Sequence, residues 1–179
     1  MPTPTPSATA APAPPGPTPP GLSACARATA PGEERFRVQT PIRPARRARI
    51  IALDPRAEGV AARLAQRPWA AARFYALTPG GDGAAPPALR ELGGAPVSLD
   101  TVLTGTDVTV VLASEDTGHR AAARIGRTCF ARGITTAGVV LGDGFEADDA
   151  VAALRPYARV LLLSADEDDA RELLTALRA

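Results

Sequence analysis

Four aspartates in this 179-residue chain follow closely on apolar runs: Asp54, Asp116, Asp143 and Asp166. Carboxylates that converge within a few ångströms hold Mg²⁺ and serve phosphoryl transfer or hydrolysis, so this acidic set carries the enzymatic potential of the chain. The same residues are also ordinary helix caps. Asp116 or Thr117 ahead of the segment 118–132, and Asp166 ahead of the last helix, are of the type that accepts backbone N–H bonds at a helix start. A second candidate is the loop Ser114-Glu115-Asp116-Thr117-Gly118. Here a strand feeds straight into a helix, whose N-terminus offers N–H groups and a partial positive charge to an anion. Glu115 and Asp116 offset part of that charge.

Other chemistries fare worse. His119 and Cys129 fall on the same predicted helix, and ten helical residues span about 15 Å, too far for a nucleophile and its base. Cys129 beside Phe130 reads as a small buried apolar side chain. Ser114 with His119 lacks the glycine-flanked nucleophile elbow. All 20 basic residues are arginine; without lysine there is no Schiff-base chemistry and no P-loop lysine. One histidine and two cysteines cannot build a Cys₂His₂ or His₃ zinc centre. Gly80-Gly81-Asp82-Gly83 forms a flexible turn in which Gly80 and Gly81 let a backbone approach a ligand closely. No Gly-x-Gly-x-x-Gly follows the first strand, where Asp54-Pro55-Arg56 stands, so a dinucleotide-dependent dehydrogenase is disfavoured. No cofactor is named by these residues.

These groups need a scaffold, and the pattern from residue 46 onward supplies one. Apolar runs at 49–53, 72–77, 107–113, 135–141 and 159–163 read as strands, with 97–99 as a short further one. Helical spacing covers 57–66, 118–132, 147–154 and 167–178, with Gly133 as the C′ residue of the second of these. Residues 86–92 read as one short helix ended by Gly93-Gly94. Strands that are apolar on both faces and alternate with helices predict an α/β, three-layer Rossmann-like sandwich with a mostly parallel sheet. In such a sheet ligands sit outside the carboxyl ends of the strands. Asp54, Gly80, Gly81, Ser114, Asp116, Thr117, Gly118, Asp143 and Asp166 all fall there. Aromatics make up 4% of the chain, so the core must be aliphatic and alanine-rich.

Residues 1–45 hold twelve of the nineteen prolines. Such a stretch buries too little apolar surface to offset its ordering entropy and reads as a disordered Pro/Ala-rich arm with polyproline II character. Cys25 lies in it, far from Cys129, which argues against a disulfide framework and for a reducing compartment. The first residues show no basic or apolar signal region, and no apolar run approaches a membrane span. The expectation is a cytoplasmic protein that does not engage a membrane. Residues 1–50 carry a net charge of +5 and residues 51–179 a net charge of −4. The acidic body is a poor surface for nucleic acid, and the arginines of the arm read as part of a solvated linker.

Three stretches resemble the nucleotide-binding half of tubulin/FtsZ-type GTPases. Residues 107–113 (DVTVVLA) are similar to that family's strand before its glycine-rich phosphate loop. Thr117-Gly118 with the following helix, then 133–141 (GITTAGVVL), are similar to the helix and strand after it, and 158–166 (ARVLLLSAD) to the next strand and its polar end. The family's GGGTG[ST]G signature is reduced to Glu115-Asp116-Thr117-Gly118, and the glycine cluster after the first strand is missing. The resemblance therefore implies a shortened relative that has lost GTP hydrolysis. Together these readings favour a non-catalytic binding module that takes a protein partner or a small nucleotide-like anion at the carboxyl edge of the sheet. The alternatives are a Mg²⁺-dependent phosphoryl-transfer or hydrolase enzyme using the rim carboxylates, and a scaffold that assembles through the N-terminal arm.

Overall fold

The computed structural model describes residues 44–79, 86–142 and 145–179; the proposed arm up to residue 43, Gly80, Gly81 and Asp143 lie outside them. Seven strands form one sheet in the order β4-β3-β2-β1-β5-β6-β7. They are β1 (Ala48–Ala52), β2 (Arg73–Leu77), β3 (Ala88–Glu91), β4 (Pro96–Ser98), β5 (Val108–Ala113), β6 (Thr135–Leu141) and β7 (Ala158–Ala165). The run β2-β1-β5-β6-β7 is parallel throughout, and β3 and β4 add an antiparallel hairpin on the outside of β2.

Helices α1 (Pro55–Ala65), α2 (Leu99–Leu103), α3 (His119–Ala131), α4 (Asp148–Leu154) and α5 (Glu167–Ala176) complete the chain, with a 3₁₀ turn at Phe145–Ala147 before α4. From β1 the chain steps one way to β2 and later the other way through β5, β6 and β7. Right-handed crossovers then require helices on opposite faces. That is the arrangement seen. Val60 and Leu64 of α1 and Leu174 of α5 pack in one core with Ile50, Val110 and Val139. Val102 of α2, Ile125 of α3 and Leu154 of α4 pack in the other with Ile51, Val111 and Val140. Every residue of β5 is buried, as a central parallel strand covered on both sides must be. Both cores consist mainly of Ala, Val, Leu and Ile.

The segment 86–92 is not a helix. It contains β3, with Leu89 opposite Leu77 on one side and Val97 on the other. A seven-residue helix opening on two prolines gains little on its own, since short helices are marginal without packing. As a strand the same residues satisfy the open backbone edge of β2 and bury Leu89 completely. The strand expected at 97–99 ends at Ser98, whose side chain accepts from the Thr101 amide at 3.2 Å and starts α2. The end of α3 follows its expected chemistry. Gly133 has φ +67, its N–H donates to the Phe130 carbonyl at 3.1 Å, and the Ile134 N–H donates to that of Cys129 at 2.9 Å. This is the paired bonding of a Schellman motif.

At the amino ends of the central strands, Asp107 accepts from the Arg47 N–H at 2.8 Å and from Arg47 Nε at 3.4 Å. The backbone bond, aided by the charges of Arg47 and Arg46, lowers the Asp107 pKa against a smaller opposing effect of burial. A group whose pKa is lower in the folded state adds stability above its unfolded value, about 3.9 for aspartate, and loses it as pH falls through the folded value. Asp107→Asn should therefore lower the urea midpoint at neutral pH, with the difference closing in acid. A gap that persists at low pH would show that the carboxylate's charge is not its cause.

Candidate functional site

The direction of the crossovers changes between β1 and β5, so the loops leaving their carboxyl ends diverge and open a crevice. Ligands of open α/β sheets gather at such a switch point. Asp54 ends β1 there and Ser114 ends β5, and the fold brings the two together. Asp54 is 4% exposed. Its Oδ1 accepts from the Ala57 N–H at 2.8 Å and from Ser114 Oγ at 2.6 Å, and its Oδ2 accepts from the Ser114 N–H at 2.7 Å. The carboxyl group thus caps α1 and ties the β1 exit to the β5 exit, which leaves it little capacity for a ligand of its own.

Asp116 departs from the expected role. It does not cap α3, the helix it precedes. Its Oδ1 accepts from the Asp149 N–H at 2.7 Å and the Ala150 N–H at 3.2 Å, so it caps α4 from a distance in sequence. Thr117 does not cap α3 either. The cap is Gly118, at φ 101, a residue with no side chain to bond the helix start. A Cβ at Gly118 would lie 2.9 Å from Leu53 Cβ and 3.1 Å from the Leu53 carbonyl oxygen, so the loop presses on the β1 exit too tightly for any side chain. Asp166 behaves as expected. It caps α5 in a reciprocal box with Asp169, the two N–H to carboxylate bonds measuring 2.8 and 3.0 Å.

Two clefts flank the N-terminus of α1. The first, of about 290 Å³, is lined by Leu53, Asp54, Pro55, Glu58, Leu77, Thr78, Pro79, Arg90 and Thr117. It sits directly against the Gly118 loop, because Leu53 and Leu77 are the side chains nearest to Gly118. Glu58 of α1 and Arg90 of β3 form an ion pair across it. The second, of about 470 Å³, lies on the α1/α5 face and includes Arg56, Arg63, Gly142, Asp166 and Glu167. Arg63 pairs with Glu167 at 2.6 Å, and Arg56 reaches Glu146 at 3.9 Å. Arg56 and Arg63 were not singled out from the sequence, although their seven-residue spacing on a helix already puts them on one face. Glu58 and Arg90 were inaccessible to that reading, because their meeting depends on β3 being a strand.

The candidate nucleophiles are separately engaged. The Ser114 hydroxyl faces Asp54, and His119 Nδ1 donates to the Asp116 carbonyl at 2.9 Å. Cys129 is fully buried, lies 3.5 Å from Thr109 Oγ1, and has its thiol pKa raised by that burial. Among the described residues no group of three or more His, Cys, Asp or Glu side chains is placed to hold a metal ion; Asp54, Asp116 and Asp166 do not form one. No helix among them is long and apolar enough to cross a membrane. The chain matches no family model, no curated protein and no solved structure.

Proposed function

We propose that residues 44–179 form a non-catalytic binding module whose ligand is a small nucleotide-like anion, held in the 290 Å³ crevice between the exits of β1, β2 and β5. The observation that carries this reading is the start of α3. It opens on a glycine, which has no side chain to offer, and it has no acid in its first turn. The other described helices differ: α1, α2, α4 and α5 each have an acid in the first turn. At α3 the sequence has Arg120 instead, a cation where the helix field disfavours it. A first turn without an acid, opened by a glycine that packing against Leu53 imposes, suits a bound anion.

The rest of the crevice suits the same ligand class. Leu53, Pro55, Leu77 and Pro79 offer apolar surface to a flat ring, Thr78 and Thr117 offer polar contacts, and Arg90 offsets the charge of Glu58. Asp116, whose charge would oppose an anion, turns its carboxylate to α4. On this reading the likeness to tubulin/FtsZ-type GTPases is that of a nucleotide-sized site with its phosphate loop reduced to 115–118.

The test is a calorimetric and thermal-melt titration with GTP, ATP, NAD and cyclic nucleotides. A true ligand at one hundred times its Kd stabilises by about 2.7 kcal/mol. Arg120→Glu should weaken that ligand roughly tenfold through reversed charge, and it should raise the unliganded melt slightly because an acid suits the first turn of a helix. No shift with any compound, or equal binding by the variant, defeats the reading.

A further inference from the structure

We infer that the β7 edge of the sheet is a self-association surface, where a second copy of this chain docks antiparallel across a two-fold axis. The two edges of the sheet are built differently. β4 is three residues long and begins with proline, which blunts it against further pairing. β7 is eight residues long, contains no proline, and carries the run Val160-Leu161-Leu162-Leu163. Three large apolar side chains are exposed among the described residues: Phe130 at 71%, Leu163 at 51% and Val160 at 39%. Two of the three lie on the edge strand itself. Val160 and Leu163 are on β7, and the Phe130 ring packs 6.3 Å from that of Tyr157, the residue just before the strand. An exposed apolar edge strand of this kind is a template for another strand.

The distribution of charge selects the occupant and its direction. Arg155 and Arg159 flank the amino end of β7, and neither forms an ion pair among the described residues. At the carboxyl end stand Asp166 and the acidic first turn of α5, Glu167, Asp168 and Asp169. Among the described residues, only Glu167 and Asp168 of these four are paired with arginine. Parallel pairing of two copies would set like ends side by side. Antiparallel pairing sets the basic end of each copy against the acidic end of the other, and makes the patch self-complementary, as a closed two-fold interface requires. Register shifts at both ends of β7 leave Val160 to Leu162 as its regular stretch. The two-fold axis therefore crosses there, and the Val160–Leu163 side chains of both copies cover one another.

Sedimentation equilibrium on the full chain should give twice the 18.4 kDa chain mass at micromolar concentration. Leu163→Lys sets two cations at the covered interface, so dimerisation should weaken on the order of a hundredfold. Its melting transition should persist, because the side chain is half exposed. Arg159→Glu should weaken the dimer about tenfold at low salt and less at high salt, where exposed charges are screened. A chain that is monomeric at these concentrations, whether because residues 1–43 cover the edge or because nothing does, overturns the inference. So does a dimer that survives Leu163→Lys.

Discussion

Asp54→Ala should cost the fold about 4 kcal/mol, a large part of the 5–15 kcal/mol that keeps a domain folded. The side chain is buried and accepts three hydrogen bonds. Its removal takes away the α1 cap, worth about 1 kcal/mol. It also leaves the Ser114 N–H and hydroxyl unsatisfied in a buried site, at about 1–3 kcal/mol for each orphaned group. Asp54→Asn should fall in between. An amide has one acceptor oxygen, so its NH₂ must face a donor that the carboxylate accepted from. Ser114→Ala should cost about 1 kcal/mol, because only one bond goes and the backbone bond stays. Urea denaturation of the three variants ranks them through their midpoints. Equal midpoints for Asp54→Ala and Ser114→Ala would mean that the two strand exits are not joined through this carboxyl group.

Gly118→Val should be nearly as damaging, at about 4 kcal/mol, from two separable causes. A β-branched residue at φ 101 is strained by about 1–3 kcal/mol. The added Cβ also meets Leu53 Cβ at 2.9 Å and the Leu53 carbonyl oxygen at 3.1 Å, and overpacking against atoms that cannot withdraw costs a further 1–3 kcal/mol or so. Gly133 separates the two. It also has positive φ, at +67, but a Cβ there meets nothing within 4 Å. Gly133→Ala should therefore show the conformational cost alone, about 1 kcal/mol, and Gly118→Ala should exceed it clearly. If the two alanine variants melt together, the Gly118 loop has room that the packing denies. The Gly118 series also bears on the proposed ligand. A side chain there must push the start of α3 away from Leu53, and with it the rim of the crevice.

These two residues hold the same junction from opposite sides. Asp54 pulls the β5 exit onto the β1 exit by hydrogen bonds, and Gly118 allows the returning loop to lie against it. The crevice exists because both conditions are met.

The parallel core was legible from residues alone. β5 and β6 are apolar on both faces, and such runs are stable only between two layers of helix. Hence the sandwich, the location of the rim and the burial of Cys129 followed from periodicity and composition. The Schellman end of α3 and the Asp166 cap were legible too, because each depends on a few neighbouring residues. The hairpin was not. Ala88–Glu91 is too short for periodicity to discriminate, and it became a strand because β2 offered an unpaired edge. Asp116 shows the same limit at a single side chain. Cap propensity specifies the type of residue but not which helix start it serves, and the 3₁₀ turn before α4 brings the amides of Asp149 and Ala150 to it. Chemistry that acts within about one helical turn is encoded next to where it acts. The Asp54–Ser114 tie, the Glu58–Arg90 pair and the crevice between them join residues 32 to 60 positions apart, and those meetings come from the order in which the strands pack, which no local pattern contains.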